Sequence, residues 1–220
     1  MQQSRKAAPR PRIGRPPANV AEKLEDRLLD AAATQFLEKG YARTTMDGVA
    51  RAANASTKTI YHRYANKGDI LAAVIRRLVE TTVANLQAGM DGLRPHRDPR
   101  TILLQIGTRF ATLVTSSQTV GINRLVISEA HQFPELTRIF LEGPGRAVGI
   151  VRQHMEAWKR QAEFQAMPEP ELAATIFYDM TTSTPRLRAL LGTPMSGPEI
   201  KRHVEAAVAI FLGGCRTARD

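Results

Sequence analysis

From Val20 onward the apolar residues recur at helical spacing, and strand-like alternation is scarce. A chain built this way must bury one stripe of each helix against other helices, so the fold class is all-α. Leu24, Leu28, Leu29, Ala32 and Phe36 share one face of a helix predicted over 21–38, which Gly40 ends as a left-handed cap. Thr44 and Thr45 offer an N-cap hydroxyl to a short helix over 46–53, with Asp47 in its first turn. A third helix runs from 56 or 57 to 64. A fourth runs over 67–90, with Ile70, Val74, Leu78 and Leu86 inward. Gly92, Pro95 and Pro99 then mark a loop and a domain boundary. Further helices are predicted at about 99–115, 119–131, 135–142, 144–164, 169–190 and 198–213. Pro99, Pro144 and Pro198 suit first turns, and Gly213-Gly214 suits a terminal cap. The pattern predicts a small helical unit on a larger helical body.

Charge narrows the partner. Lys and Arg number 31 against 21 Asp and Glu, a formal charge of +10, in 220 residues. An excess of this size favours an anionic partner. Most of it lies early: residues 1–80 hold 15 basic and 8 acidic side chains. Residues 1–20 carry Arg5, Lys6, Arg10, Arg12 and Arg15 with no acid, broken by Pro9, Pro11, Pro16 and Pro17. They read as a disordered basic arm. It either enters a minor groove or adds only non-specific affinity as a solvated tail. A single cysteine, Cys215, excludes a disulfide framework and a cysteine-based zinc site. There is no spanning apolar run and no secretory leader, so a reduced, cytoplasmic protein without a membrane partner is expected.

The informative segment is 45–67. Two short helices flank a tight turn, Ala53-Asn54-Ala55-Ser56, and Asn54 tolerates the left-handed conformation such a turn needs. Val49 and small Ala50 can pack on Ile60, with Tyr64 a turn later. This is the layout of a helix-turn-helix whose second helix enters the major groove. Ser56 can cap that helix while its amides face a phosphate. Thr57, Lys58 and Thr59 lie where base edges are reached, lysine suiting guanine acceptors and the threonine methyl suiting thymine. Tyr61 and His62 point outward, Tyr61 toward a phosphate. Lys67 is expected to pair with another phosphate. With Thr45, these residues form the predicted contact set for double-stranded DNA. The plainer alternative makes Tyr61, His62 and Arg63 ordinary surface residues of a small bundle.

Leu28-Leu29-Asp30-Ala31-Ala32, Phe36, Gly40-Tyr41, Thr44-Thr45, Val49-Ala50, Ser56, Thr59-Ile60-Tyr61, Tyr64 and Asn66-Lys67 resemble the N-terminal domain of the TetR family of transcriptional regulators, over about residues 24–72. The resemblance implies an all-helical homodimer. Its three-helix DNA-binding domain would cover 21–66, and a larger ligand-binding and dimerisation domain 67–220. It further implies a repressor on a palindromic operator, released by a small-molecule effector. Four positions depart from the pattern. Asn54 and Lys58 replace usual glycines, Tyr64 replaces a usual phenylalanine and needs a hydroxyl partner if buried, and Gly48 sits inside a helix. Residues 123–130 and 133–136 look like the C-terminal domain of the AefR-like subgroup.

The body offers two apolar stripes. Ile102, Leu103, Ile106, Phe110 and Leu113 form one; Val148, Val151, Met155 and Trp158 form the other, with His154 beside them. They are either plain core or the walls of a ligand cavity. Phe110, Asn123, Arg124, His154, Trp158 and Tyr178 are the candidate pocket residues. The resemblance places the dimer interface on the last two helices. Leu172, Ile176, Phe177 and Met180 would form it with Ile200, Val204, Ala207, Val208 and Phe211, and small Ala206, Ala207 and Ala209 would allow close approach. An enzyme is not expected. The chain has no paired histidines with a glutamate, no glycine-rich phosphate loop and no nucleophile elbow. No catalytic residue, cofactor or metal site is therefore assigned. Cys215 reads as a bystander.

Overall fold

The computed structural model describes residues 18–89 and 98–216. The arm residues before Ala18 and the predicted loop at Gly92 and Pro95 lie outside the described residues. Among those described there are nine α-helices and no strand: α1 (Ala18–Arg43), α2 (Met46–Ala52), α3 (Thr57–Arg63), α4 (Lys67–Ala88), α5 (Pro99–Thr115), α6 (Ser117–Glu129), α7 (Pro134–Lys159), α8 (Pro170–Leu190) and α9 (Gly197–Cys215). A short 3-10 turn, Ala162–Phe164, follows α7. The all-α expectation holds.

Local chemistry sets most boundaries. Gly40 has φ 75° and ψ 170°, a conformation that needs glycine, and it breaks the regular path of α1 before Arg43. Asn66 and Asp69 form a reciprocal capping box at the start of α4, as Ser196 and Glu199 do for α9. The Ser196 backbone and side-chain hydrogen bonds, with Arg188 beside them, hold the Glu199 carboxyl down at about 2. Pro99 and Pro198 sit in first turns as expected.

Pro144 does not. It lies inside α7, so the two helices predicted at 135–142 and 144–164 are one helix ending at Lys159. The proline removes the amide that would bond the Phe140 carbonyl, a local cost of about 3 kcal/mol. Packing on both sides offsets that cost: Leu136 and Ile139 are buried before it, Val148, Val151, Met155 and Trp158 after it. Gly213 and Gly214 are likewise helical, and α9 runs past them to Cys215.

Two hydrophobic clusters result. The first gathers Leu28, Phe36, Val49, Ile60, Ile70 and Ile75 of α1–α4, and adds Ile122, Leu125, Leu136 and Ile139 from α6 and early α7. The second gathers Ile106 and Phe110, Val151 and Trp158, Phe177, and Val208 and Phe211 from α5, α7, α8 and α9. The 21–66 unit therefore has no core to itself, because α4, α6 and the first half of α7 complete it. α7 passes from one cluster to the other near Gly143-Pro144.

Candidate nucleic-acid interface and effector cavity

The sequence builds α2, turn and α3 almost residue by residue. The Thr45 hydroxyl accepts from the Gly48 amide at 3.1 Å and starts α2. The chain then turns through Asn54 at φ 51°, the only described non-glycine residue with positive φ. The Ala55 amide donates to the Ala50 carbonyl at 2.9 Å across the turn. The Ser56 hydroxyl accepts from the Thr59 amide at 3.1 Å and starts α3. Val49, Ala50 and Ile60 are buried where the two helices meet.

This seating leaves one face of α3 free. Thr57, Lys58, Tyr61 and His62 are exposed, with half of Tyr61 open to solvent. Thr59 is only half-exposed, and its hydroxyl lies 2.7 Å from the Ser56 hydroxyl, so it belongs to the cap more than to the open face. Tyr64 is buried, and its hydroxyl donates to the Glu25 carboxylate, which also takes a hydrogen bond from Arg63. Burial and that bond push the Tyr64 pKa well above its usual 10.0. Glu25 thus pins the end of α3 to α1. Sequence reasoning saw the need of the Tyr64 hydroxyl but not its partner, because the carboxylate lies on another helix.

Lys67, expected to pair with a phosphate, is already engaged within the chain. Its ammonium donates to the Tyr41 carbonyl at 2.6 Å and the Ala42 carbonyl at 3.3 Å, and stands 4.1 Å from the centre of the Tyr41 ring. Those carbonyls belong to the end of α1, where the negative end of the helix dipole attracts a cation. Lys67 is a clamp between α1 and α4. Phe133, just before α7, packs edge-on against the same Tyr41 ring at 5.1 Å. It also fills the space beside Gly68, where a Cβ would meet its ring at 2.8 Å.

A cavity of about 70 Å³ lies between α4, α5, α6, α7 and α8. Its wall joins the two clusters: Val79 and Val83 come from the first, Leu86, Phe110, Ala147 and Tyr178 from the second. Of the six candidate pocket residues, Phe110, Asn123 and Tyr178 line it. The other three do not. Arg124 caps α8 instead, donating to the Leu190 carbonyl at 2.8 Å and the Ala189 carbonyl at 3.3 Å. His154 and Trp158 are packed in the second cluster with rings 5.7 Å apart, and His154 Nδ1 and Trp158 Nε1 have no hydrogen-bond partner. Burial lowers the His154 pKa. The sequence reading missed Arg186 and Pro144, which do line the cavity.

The predicted dimer face also changes. Phe177, Val204, Ala207, Val208 and Phe211 are buried in the chain's own core. What α8 leaves exposed is Leu172, Ile176 and Leu187, with Leu191 just past its end 72% accessible. On α9 the exposed residues include Ala206, Ala209, Ile210 and Gly213. Among the described residues there is no cluster of metal-ligating side chains and no helix long and apolar enough to cross a membrane.

Comparisons with known proteins bear on both the α2–turn–α3 unit and the body. Residues 28–74 match the model of the TetR family of bacterial regulatory proteins. Residues 101–214 match that of the C-terminal domain of AefR-like transcriptional repressors. The regulator TtgR of Pseudomonas putida is 30% identical over 108 residues, 48% of this chain and 50% of TtgR. The chain spans about half the length of the curated relatives it matches. A TetR-family transcriptional regulator from Mesorhizobium loti superposes with a TM-score of 0.81 at 24% identity, covering 90% of this chain and 98% of that one. The flavonoid-responsive regulator FrrA superposes at 0.72, also at 24% identity, covering 90% of this chain and all of FrrA. The matched models cover the α2–turn–α3 unit and most of the body, and this chain belongs to the TetR family of regulators, with a C-terminal domain of the AefR-like kind.

Proposed function

We propose that the protein is a sequence-specific DNA-binding transcriptional repressor, acting in the cytoplasm as a homodimer on a palindromic operator and released by a small molecule. The carrying observation is the free face of α3: Thr57, Lys58, Tyr61 and His62 stand exposed on a short helix held at both ends by capping and by Glu25. Lys58, His62 and Thr57 would read base edges, and Tyr61 would hold a phosphate. Thr45 and Ser56, at helix starts, would present backbone amides to the strand. The exposed apolar stripe of α8 and the small residues of α9 support a two-fold helical interface that sets two recognition helices on one duplex.

Effector release has a geometric basis. A cavity of about 70 Å³ is smaller than the ~150 Å³ that admits benzene in a packed core. An effector must therefore widen it, moving α4 or α7. α4 starts at the Lys67 clamp, and α7 starts beside Phe133 on the same clamp. A ligand that binds the widened state more tightly shifts the population toward it. FrrA, by its name, responds to flavonoids, which supports an effector for this fold.

The test selects bound duplexes from a random pool at fixed salt, then measures affinity by mobility shift. Tyr61→Ala should weaken binding to every duplex, and Lys58→Ala should change the preferred sequence. Equal affinity for the selected and random duplexes would refute sequence-specific recognition. By sedimentation, Leu187→Glu with Leu191→Glu should convert the dimer to monomer. A wild-type chain that stays monomeric on DNA would refute the two-fold arrangement.

A further inference from the structure

The cavity wall is apolar over most of its surface, and Phe110 and Tyr178 meet edge to face in it at 5.2 Å. One side differs. Arg186 lines the cavity about two turns beyond Tyr178 on α8, and it is half-buried. The other half-buried arginines beyond Lys67, namely Arg77, Arg152 and Arg188, have partners. Arg152 pairs with Glu156 and Glu171, Arg188 with Glu199, and Arg124 caps α8. Arg186 forms no ion pair and no side-chain hydrogen bond among the described residues. A guanidinium stays charged and offers five donors in a planar fork. Arg186 is the one charged residue among those lining the cavity, and a fixed positive charge beside apolar surface selects a guest that carries an acceptor.

We infer that the effector is an amphipathic organic anion, an aromatic or aliphatic body lying against Phe110 and Tyr178 with a carboxylate paired to Arg186. The inference rests on the reading of this cavity as the effector site. A carboxylate matches the guanidinium fork in two parallel hydrogen bonds, and the low-polarity wall strengthens them. The Tyr178 hydroxyl adds a donor. Its burial raises its pKa against the lowering field of Arg186, so it remains protonated at neutral pH. A cationic effector would meet Arg186 with like charge, and a neutral one would leave it unpaired.

The experiment is calorimetric titration of the full chain with 4-butylbenzoate and, separately, with 4-butylbenzamide, which keeps the shape and removes the charge. The carboxylate should bind at least about tenfold more tightly than the amide. In Arg186→Met, and in Arg186→Gln should the first variant fold poorly, the preference should fall below about twofold while amide affinity changes little. Ala147→Phe, confirmed folded by a cooperative melt, should block both probes by filling the cavity. Equal affinity for the two probes, or a preference that survives loss of the guanidinium, overturns the anionic assignment. In that case amide binding blocked by Ala147→Phe would leave the cavity as the effector site. No binding of either probe up to millimolar concentration would overturn both readings.

Discussion

The cluster around α1–α4 and the cluster around α5, α8 and α9 both bury their apolar side chains, but they treat polar groups differently. In the first, the special positions described here have answers. Asn54 supplies the left-handed turn, Glu25 takes the Tyr64 hydroxyl, Lys67 takes the carbonyls at the end of α1, and Arg77 ties α4 to Asp26 and Asp30. In the second, groups are left over: the Arg186 guanidinium has no carboxylate among the described residues, and His154 Nδ1 and Trp158 Nε1 have no partner; the cavity lies between the two clusters. A region that must hold one helix at a fixed angle to a duplex gains from completeness. A region that must accept a guest has to keep space and unpaired donors.

The contrast breaks most sharply at Ile60, which is fully buried where α3 meets α2 in the first cluster. Ile60→Ala should cost about 2–5 kcal/mol, read as a lower midpoint in urea. The first cluster also includes Ile122 and Ile139 of the body, so the loss should appear as one cooperative transition. A separate early transition confined to the N-terminal helices would show that the two clusters unfold independently.

Tyr64→Phe tests the polar half of the comparison. It leaves Glu25 with Arg63 but without the buried hydroxyl. A cost of about 1–2 kcal/mol is expected, below the full range for a bond to a charged group because Glu25 is partly exposed. The effect has a pH signature. The folded-state pKa of Tyr64 lies above the unfolded 10.0, raised by burial first and by Glu25 second. Its contribution is therefore complete below pH 10 and is lost as pH rises above it. Tyr41 and Tyr178 shift in the same direction, so Tyr64→Phe should reduce the alkaline loss of stability without abolishing it. An unchanged slope above pH 10 would show that the hydroxyl does not hold Glu25 in solution.

The same contrast explains what could be read from the sequence. The α2–turn–α3 unit was legible because its determinants are local: Thr45, Asn54 and Ser56 act on amides a few residues away, and Ile60 follows from helical period. The partners Glu25 for Tyr64 and Tyr41 for Lys67 were not legible, because they join helices distant in sequence. In the body, apolar period located α5, α6, α8 and α9 but could not separate buried from exposed stripes. Phe177 and Leu172 lie on the same helix and differ only in which face the fold covers. Pro144 misled for a related reason. A proline usually starts a helix, and only the packing of both halves of α7 against two clusters carries the helix through it. Arg186 could not be placed at the cavity from an arginine-rich stretch of α8 that also holds Arg188.

Ser56→Ala should weaken α3 by about 1 kcal/mol, since the hydroxyl caps the Thr59 amide. The sharper reading compares folding with DNA affinity. If the cap only starts the helix, Ser56→Gly, which leaves the amides open to solvent, should restore most of the stability, and affinity should recover with it. Recovery of stability without recovery of affinity would make the hydroxyl itself a phosphate ligand.

The smallest effect concerns space. Ala50 and Ala147 are both buried alanines on helices, one where α2 meets α3 and the other on the cavity wall. Enlarging each to valine adds the same two methyl groups and the same modest helix penalty. At Ala50 no cavity receives them, and overpacking should cost about 1–3 kcal/mol. At Ala147 they enter the empty volume, so the gain of about 0.8 kcal/mol for each buried carbon should roughly cancel the helix penalty and any strain. Stability should then be unchanged or up to about 1 kcal/mol higher. Chemical denaturation of both variants gives the comparison directly. Equal destabilisation would mean that the wall at Ala147 is already tight and that the effector enters elsewhere.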